Sequence, residues 1–187
     1  LLISFGLLIL IFTKFYLVVA LFIPVIGFLI NHYLKFNKVI YGYLISFFLF
    51  LISISVAPHI NSHLNFVNKI AVKQQVFSRF IANVPTNSGF KISELSDAKS
   101  LIINIPNALI NTIFRPYLWE CKSAFVWLSA FENYIILIII AFTIYFRKKI
   151  NKDQRNSIYF NLSFVSCLFI LIGLTTPVFG AIMRYKI

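Results

Sequence analysis

The sequence predicts an all-α protein, a polytopic bundle of transmembrane helices with an outer helical segment at the membrane surface. Hydrophobic residues make up 60% of the 187 residues and charged residues only 12%, and the mean hydropathy is +0.89. The apolar residues also stand in long runs, without the periodic polar face that a soluble helix exposes. Lipid is therefore the main solvent of this chain.

Four apolar runs match the length of a membrane span, since a helix crosses the hydrocarbon core with about 20 residues. These runs are Phe15 to Ile30, Val39 to Val56, Phe125 to Phe146 and Ile158 to Thr175. The run from Leu1 to Thr13 is too short to span alone. Because the chain starts at Leu1 rather than Met, we expect a fragment whose first helix is cut and is followed by a turn at Lys14. The alternative is one long helix that buries Lys14, at a cost of about 3 kcal/mol.

Basic residues near the span ends predict the orientation, because they tend to stay on the cytoplasmic side. The link from Arg147 to Arg155 is strongly basic and contains one acid, Asp153. We therefore place this link inside and the long segment from Ala57 to Leu118 outside. The predicted division is N-terminal spans at 1–56, an extracytoplasmic amphipathic segment at 57–118 and C-terminal spans at 119–187, with the basic cytoplasmic loop at 147–155.

The net charge of +12 indicates membrane lipid as a partner and no nucleic acid. The cations are scattered among apolar spans and form no nucleic-acid fold signature, whereas anionic headgroups suit such charge.

Cys121 and Cys167 form no CxxC motif, so we expect free thiols. His59 and His63 are one helical turn apart and could share a metal ion, but no third ligand is evident. We predict neither a metal site nor a cofactor.

The outside segment begins with an amphipathic pattern. Its apolar positions recur near helical spacing, at Leu64, Val67, Ile70, Phe77, Phe80 and Ile81, and its polar positions are Lys69, Lys73, Gln74 and Arg79. This pattern predicts a basic helix in the headgroup plane. A turn at 84–89 follows. The next helix is expected to have Ser93 as its N-cap, with Glu94 and Asp97 in or near its first turn. We expect this helix to kink or restart at Pro106 and to end at Pro116.

The outside segment has two interpretations. It is either a linker that caps the bundle and contacts headgroups, or one wall of a substrate cleft at the membrane surface. The first candidate site follows it directly. Arg115 is held by a proline turn and is followed by the aromatics Tyr117 and Trp119. Its guanidinium can present a planar fork to phosphate or carboxylate. The alternative is that the aromatics form an interfacial belt and that Arg115 pairs only with Glu120.

Two further candidate sites lie in the C-terminal part. Glu132 falls inside a span, where a carboxylate marks a polar pathway or a partner cation. It follows Glu120 by twelve residues, which turns it by about 120° around a helix, so the two carboxylates need not serve one site. The last candidate comprises the turn at 173–180 and the sequence Arg184-Tyr185-Lys186 that follows it. In the predicted topology it reaches the same face as Arg115, and together they would suit a polyprenyl phosphate; the alternative is snorkelling at helix ends.

Three stretches carry a resemblance: Phe114 to Glu120, Glu132-Asn133, and Thr175-Thr176-Pro177 with Arg184 to Lys186. They resemble the C-terminal half of uncharacterised bacterial multispanning proteins of surface-polysaccharide assembly. The Arg-Tyr-Lys ending is also similar to a late segment of membrane glycosyltransferases that use lipid-linked sugars. The resemblance covers only Phe114 to Lys186.

This resemblance implies a multi-pass protein of the bacterial inner membrane that handles or transfers a lipid-linked glycan. It leaves enzyme activity open, because such transferases carry an acidic catalytic residue in an early outer loop and this chain shows no clear equivalent. Two alternatives stand beside it. One is a transporter or flippase subunit, in which Glu132 and helix breaks at Pro24 and Pro177 belong to a pathway. The other is a structural membrane subunit.

Overall fold

The computed structural model shows an all-α protein, as the sequence predicts. It describes residues 15–34, 36, 38–60, 65–83, 89–90, 92–146, 151–179 and 181–182. The described residues form six α-helices: α1 (Phe15–Leu34), α2 (Ile40–Ile60), α3 (Phe66–Asn83), α4 (Ala98–Phe114), α5 (Ala124–Tyr145) and α6 (Lys152–Thr175). A 3₁₀ turn, Leu118–Glu120, separates α4 from α5. The predicted helix at 1–13, the turn at Lys14 and residues 84–88 of the predicted turn at 84–89 lie outside the described residues.

Four of these helices, α1, α2, α5 and α6, are long and apolar enough to cross a membrane. They coincide with the four predicted spans, but three continue past the predicted limits. α1 includes His32, α2 runs through Pro58 to Ile60, and α6 begins at Lys152. The reason is that hydropathy reports the part of a helix in hydrocarbon, whereas backbone hydrogen bonds continue the helix through polar residues at either end.

The described residues fall into two compact units that combine distant parts of the chain. The first unit holds α1, α2 and α6 as far as Leu171, and the second holds α3, α4, α5 and the residues from Ile172 onward. The three-part division at 57 and 119 and the orientation across the membrane stay predictions.

In the first unit, α1 and α2 approach closely at two glycines. A Cβ on Gly27 would lie 2.5 Å from the ring of Tyr43, and one on Gly42 would lie 2.5 Å from the amide of Asn31. The hydroxyl of Tyr43 also donates to the main-chain carbonyl of Asn156 on α6, at 2.9 Å. Small residues that allow close approach, together with side-chain hydrogen bonds, are the usual means of joining helices where lipid supplies no hydrophobic driving force.

In the second unit, α3 is tied down by the buried amide of Gln74. Its Nε2 donates to the carbonyls of Ser93 at 3.0 Å and Leu174 at 2.9 Å, and its Oε1 accepts from the N–H of Leu95 at 3.1 Å. The sequence placed Gln74 on the polar side of the amphipathic helix, and this was wrong: its side chain is 3% exposed. A buried amide with all three bonds made avoids the cost of an unpaired polar group, which explains how it is tolerated there.

α4 begins four residues later than the sequence predicted. Its N-cap is Asp97, whose carboxylate accepts from the Ser100 N–H at 2.9 Å while the Ser100 hydroxyl accepts from the Asp97 N–H at 3.1 Å. This reciprocal capping box is stronger than a cap at Ser93. The hydrogen bonds from Ser100 also lower the pKa of Asp97. α4 continues through Pro106 without a restart and ends before Pro116, the latter as predicted.

Candidate functional site

The second unit contains a pocket of about 150 Å³ with a polar wall. A cavity of that size accommodates a group about as large as a benzene ring. One side is formed by α4 and its C-cap, and the other by the segment before α4 and the end of α6. The lining residues are Ile92, Ser93, Asn104, Asn107, Ala108, Asn111, Arg115, Gly173 and Leu174.

The polar wall arises from the spacing of residues along α4. Asn104, Asn107, Asn111 and Arg115 follow one another at intervals of three, four and four residues, which places them on one face of a helix. Asn104 donates to the carbonyl of Ser100 at 2.8 Å, which fixes the side chain against its own helix. The face therefore presents three amides in a row and ends in a guanidinium.

Gly173 sets the width of the pocket on its opposite side. A Cβ at this position would overlap the carbonyl oxygen of Ala108 and would lie 2.5 Å from the hydroxyl oxygen of Thr112. Only a residue without a side chain lets the end of α6 come this close to α4. The hydroxyl of Thr112 is turned inward and donates to the carbonyl of Ala108 at 2.8 Å, within the same buried contact.

Arg115 is the C-cap of α4, and its N–H donates to the Asn111 carbonyl at 3.3 Å. Its Nη2 lies 3.2 Å from Oε1 of Glu120, in a pair whose side chains are about one-fifth exposed. The guanidinium carbon also stands 4.3 Å from the centre of the Phe90 ring, a cation–π distance. Nε and Nη1 of Arg115 are buried, so the ion pair lies at the edge of the protein interior rather than in open solvent. Its effect is to hold the planar fork of Arg115 in one orientation at the pocket wall.

The C-terminal turn reaches the same place through Phe90. The Phe90 ring stacks on Phe179 with centroids 5.2 Å apart, and the Phe90 N–H donates to the Pro177 carbonyl at 3.0 Å. Gly89 and Val178 form an isolated antiparallel bridge beside them. The structure thus brings the start of the predicted C-terminal candidate to the surroundings of Arg115. Its basic end, Arg184, Tyr185 and Lys186, lies outside the described residues.

The remaining predicted site residues stand apart from the pocket wall. Tyr117 and Trp119 stack with their rings 4.7 Å apart, and Trp119 is 79% exposed. Such an exposed ring pair fits both a ligand platform and an interfacial belt. Glu132 is exposed on α5 and does not line the pocket. Its neighbour Asn133 faces inward instead, where its Nδ2 donates to the Phe114 carbonyl at 3.1 Å and so helps to close the end of α4.

Two residues that the sequence analysis considered, His59 and Cys121, show ordinary structural contacts. Nδ1 of His59 lies 3.1 Å from the carbonyl oxygen of Ser55, one turn back on α2, and His63, with which it could share a metal ion, lies outside the described residues. The Sγ of Cys121 donates to the Tyr117 carbonyl at 3.3 Å. Burial, and then the charge of Glu120, raise the pKa of Cys121, so this thiol is poorly suited to act as a nucleophile at neutral pH.

Sequence reasoning missed the three asparagines of the polar wall. The signal was present in their spacing, because asparagine is a weak helix former and three of them on one face of an otherwise apolar helix require a reason. Ser93 was noticed, but as a helix cap. Comparison with known proteins gives no match among family models, curated proteins or solved structures. The geometry of the pocket is therefore what a functional proposal has to rest on.

Proposed function

We propose that this integral membrane protein binds the phosphate-linked head group of a lipid-linked glycan in the pocket on α4. The observation that carries the proposal is the joint placement of Arg115 and three asparagines on one wall of a pocket, in a chain with four helices fit to span a membrane. A ligand for such a pocket combines an anion with neutral polar groups. A polyprenyl phosphate that carries a sugar has both and is held in the same membrane.

The anion is assigned to Arg115. Its guanidinium is planar and permanently charged, and it matches two oxygens of a phosphate at once. The contact with Glu120 fixes its direction without removing it from the pocket wall. A phosphate that approached would compete with Glu120 for the same fork, so binding is expected to lengthen or break that ion pair.

The neutral part of the ligand is assigned to the amides of Asn107 and Asn111. An amide offers both donors and an acceptor, as a hydroxyl does, so amides and sugar hydroxyls pair in several geometries. The volume of about 150 Å³ suits one six-membered ring rather than an oligosaccharide. The proposal is limited to binding, since none of the described residues that line the pocket is a carboxylate that could act as a general base.

The test measures binding of polyprenyl phosphate, with and without one attached hexose, to the purified protein in lipid nanodiscs by native mass spectrometry. The wild-type protein is expected to retain both lipids, and Arg115→Lys to retain them about tenfold less well because lysine lacks the bidentate fork. Arg155→Lys is the matched control, since Arg155 is an exposed arginine on α6 that does not line the pocket.

Asn107→Leu separates the neutral contact from the anionic one. Asn107 is exposed at the pocket wall, so this variant is expected to fold. It should weaken binding of the hexose-bearing lipid and leave the unglycosylated phosphate unchanged. Wild-type protein that retains neither lipid, or an Arg115→Lys variant that binds both lipids like the Arg155→Lys control, would show that the pocket does not serve this ligand.

A further inference from the structure

α3 has one side that the protein covers and one side that is turned away from the protein, and the second side carries a feature separate from the pocket. The helix buries Val67, Ile70, Ala71 and Gln74, each less than 7% exposed. Val67 and Ile70 are among the residues that the sequence assigned to the lipid side. Because the protein itself covers them, this face is not available to a membrane.

The opposite side of α3 has apolar residues at its centre and cations at its flanks. Val72 and Val76 are 52% and 61% exposed. At about 100° per residue, the order around the helix axis is Arg79, Val72, Val76, Lys69 and Lys73, with steps of about 20°, 40°, 20° and 40°. The two valines therefore lie between Arg79 on one side and the two lysines on the other. All three cations are exposed. We call these five residues the outer face of α3.

This arrangement is typical of a helix that rests on a lipid surface. The apolar centre enters the boundary between headgroups and acyl chains, while the flanking lysine and arginine side chains reach up to the phosphates. α3 contains no acidic residue, so the charge that this helix itself contributes to the outer face is positive. Anionic headgroups are the complement of that charge.

Chain length keeps α3 near the membrane. The candidate span α2 ends at Ile60 and α3 begins at Phe66. The six Cα–Cα steps from Ile60 to Phe66 span at most about 22 Å even when fully extended. The start of α3 is therefore within reach of the headgroup layer at that end of α2.

We propose that the outer face of α3 docks on the anionic headgroups of the membrane that the chain spans, with Val72 and Val76 inserted and the three cations at the phosphates. The proposal is independent of the glycan pocket, because none of these five residues lines it. It reverses the expectation from the sequence, in which Val67, Ile70 and Phe77 enter the lipid.

The experiment places an environment-sensitive fluorophore, NBD, on single cysteines in the full chain, after Cys121 and Cys167 are changed to serine. The labelled variants are Val72→Cys, Val76→Cys and the control Gln75→Cys, which is also exposed but lies about 100° around the helix from Val76. The protein is reconstituted in vesicles of phosphatidylglycerol and phosphatidylcholine, and quenching by a lipid-borne nitroxide is compared with quenching by aqueous iodide.

Positions 72 and 76 are expected to be quenched by the lipid-borne nitroxide and protected from iodide, and position 75 the reverse. Changing Lys69, Lys73 and Arg79 together to Gln, or omitting phosphatidylglycerol, should reduce the lipid-borne quenching by about half or more. Three results overturn the proposal. The first is iodide quenching at positions 72 and 76 that equals the quenching at position 75. The second is protection of positions 72 and 76 from both quenchers, which indicates that another protein surface covers the face. The third is quenching by the lipid-borne nitroxide that is unchanged in the Gln variant.

Discussion

Replacement of Gln74 with leucine tests the packing of the second unit most directly. Leucine has nearly the same volume but no polar atom, so the change removes three hydrogen bonds without leaving a hole. The groups that lose their partner are the carbonyls of Ser93 and Leu174 and the N–H of Leu95. A neighbouring substitution, Gln75→Leu, provides the matched control, because Gln75 stands next to Gln74 on the same helix and is exposed.

The magnitude follows from how deeply each bond is buried. The bonds to Leu174 and Leu95 are fully buried, whereas the bond to Ser93 is only partly so and its carbonyl can turn to water. A buried polar group left without a partner costs about 1–3 kcal/mol. Two such groups cost about 2–6 kcal/mol, and the added apolar burial of leucine offsets part of this. We expect a net loss of about 2–4 kcal/mol in the free energy of unfolding.

Two measurements check this expectation in the purified protein. Thermal unfolding should show a lower midpoint for Gln74→Leu than for wild type, with Gln75→Leu close to wild type. Hydrogen exchange should show faster exchange of the Leu95 amide in Gln74→Leu, because that N–H has lost its acceptor. The reasoning is refuted if Gln74→Leu is as stable as Gln75→Leu and the Leu95 amide stays protected.

Three further predictions concern other parts of the chain. Gly173→Ala should lower the unfolding free energy by about 1–3 kcal/mol, since the new methyl meets the Ala108 backbone; an unchanged midpoint of thermal unfolding contradicts this contact. Hydrogen bonds lower the pKa of Asp97, so its capping of α4 is present above the unfolded-state pKa of about 4 and is lost as pH falls through the folded-state pKa. Asp97→Asn caps the helix without titrating, so its helix content, measured by circular dichroism, should fall less steeply in acid than that of wild type. Identical acid transitions for the two proteins argue against the cap. An impermeant thiol reagent applied to intact cells should label a cysteine at position 88 and not one at 152, and the reverse pattern would invert the predicted topology.

Much of the fold could be read from the sequence because lipid leaves the backbone few choices. A segment in hydrocarbon must satisfy its own hydrogen bonds, so an apolar run of sufficient length becomes a helix. This is why α1, α2, α5 and α6 were located correctly from hydropathy alone. The end of α4 before Pro116 was equally local, since proline restricts the residue that precedes it. The exact start of α4 was not, because Asp97 and Ser93 are both acceptable caps and the reciprocal bonds with Ser100 decided between them.

Faces and partners, in contrast, came only from the tertiary structure. α3 has apolar residues on both sides, Val67 and Ile70 on one and Val72 and Val76 on the other, and helical periodicity does not say which side meets protein. The contacts of Gln74 with Leu95 and Leu174 settled that question.

The candidate site divides in the same way. Arg115 and Glu120 were found from their residue types and their closeness in sequence, but the asparagine wall of α4 became a pocket only when Gly173, far along the chain, packed against Ala108. The sequence by itself determined which segments are helices in this protein, because backbone hydrogen bonding and the cost of placing polar groups in lipid act locally. The tertiary structure decided which side chains face one another, because that depends on contacts between residues far apart in the chain.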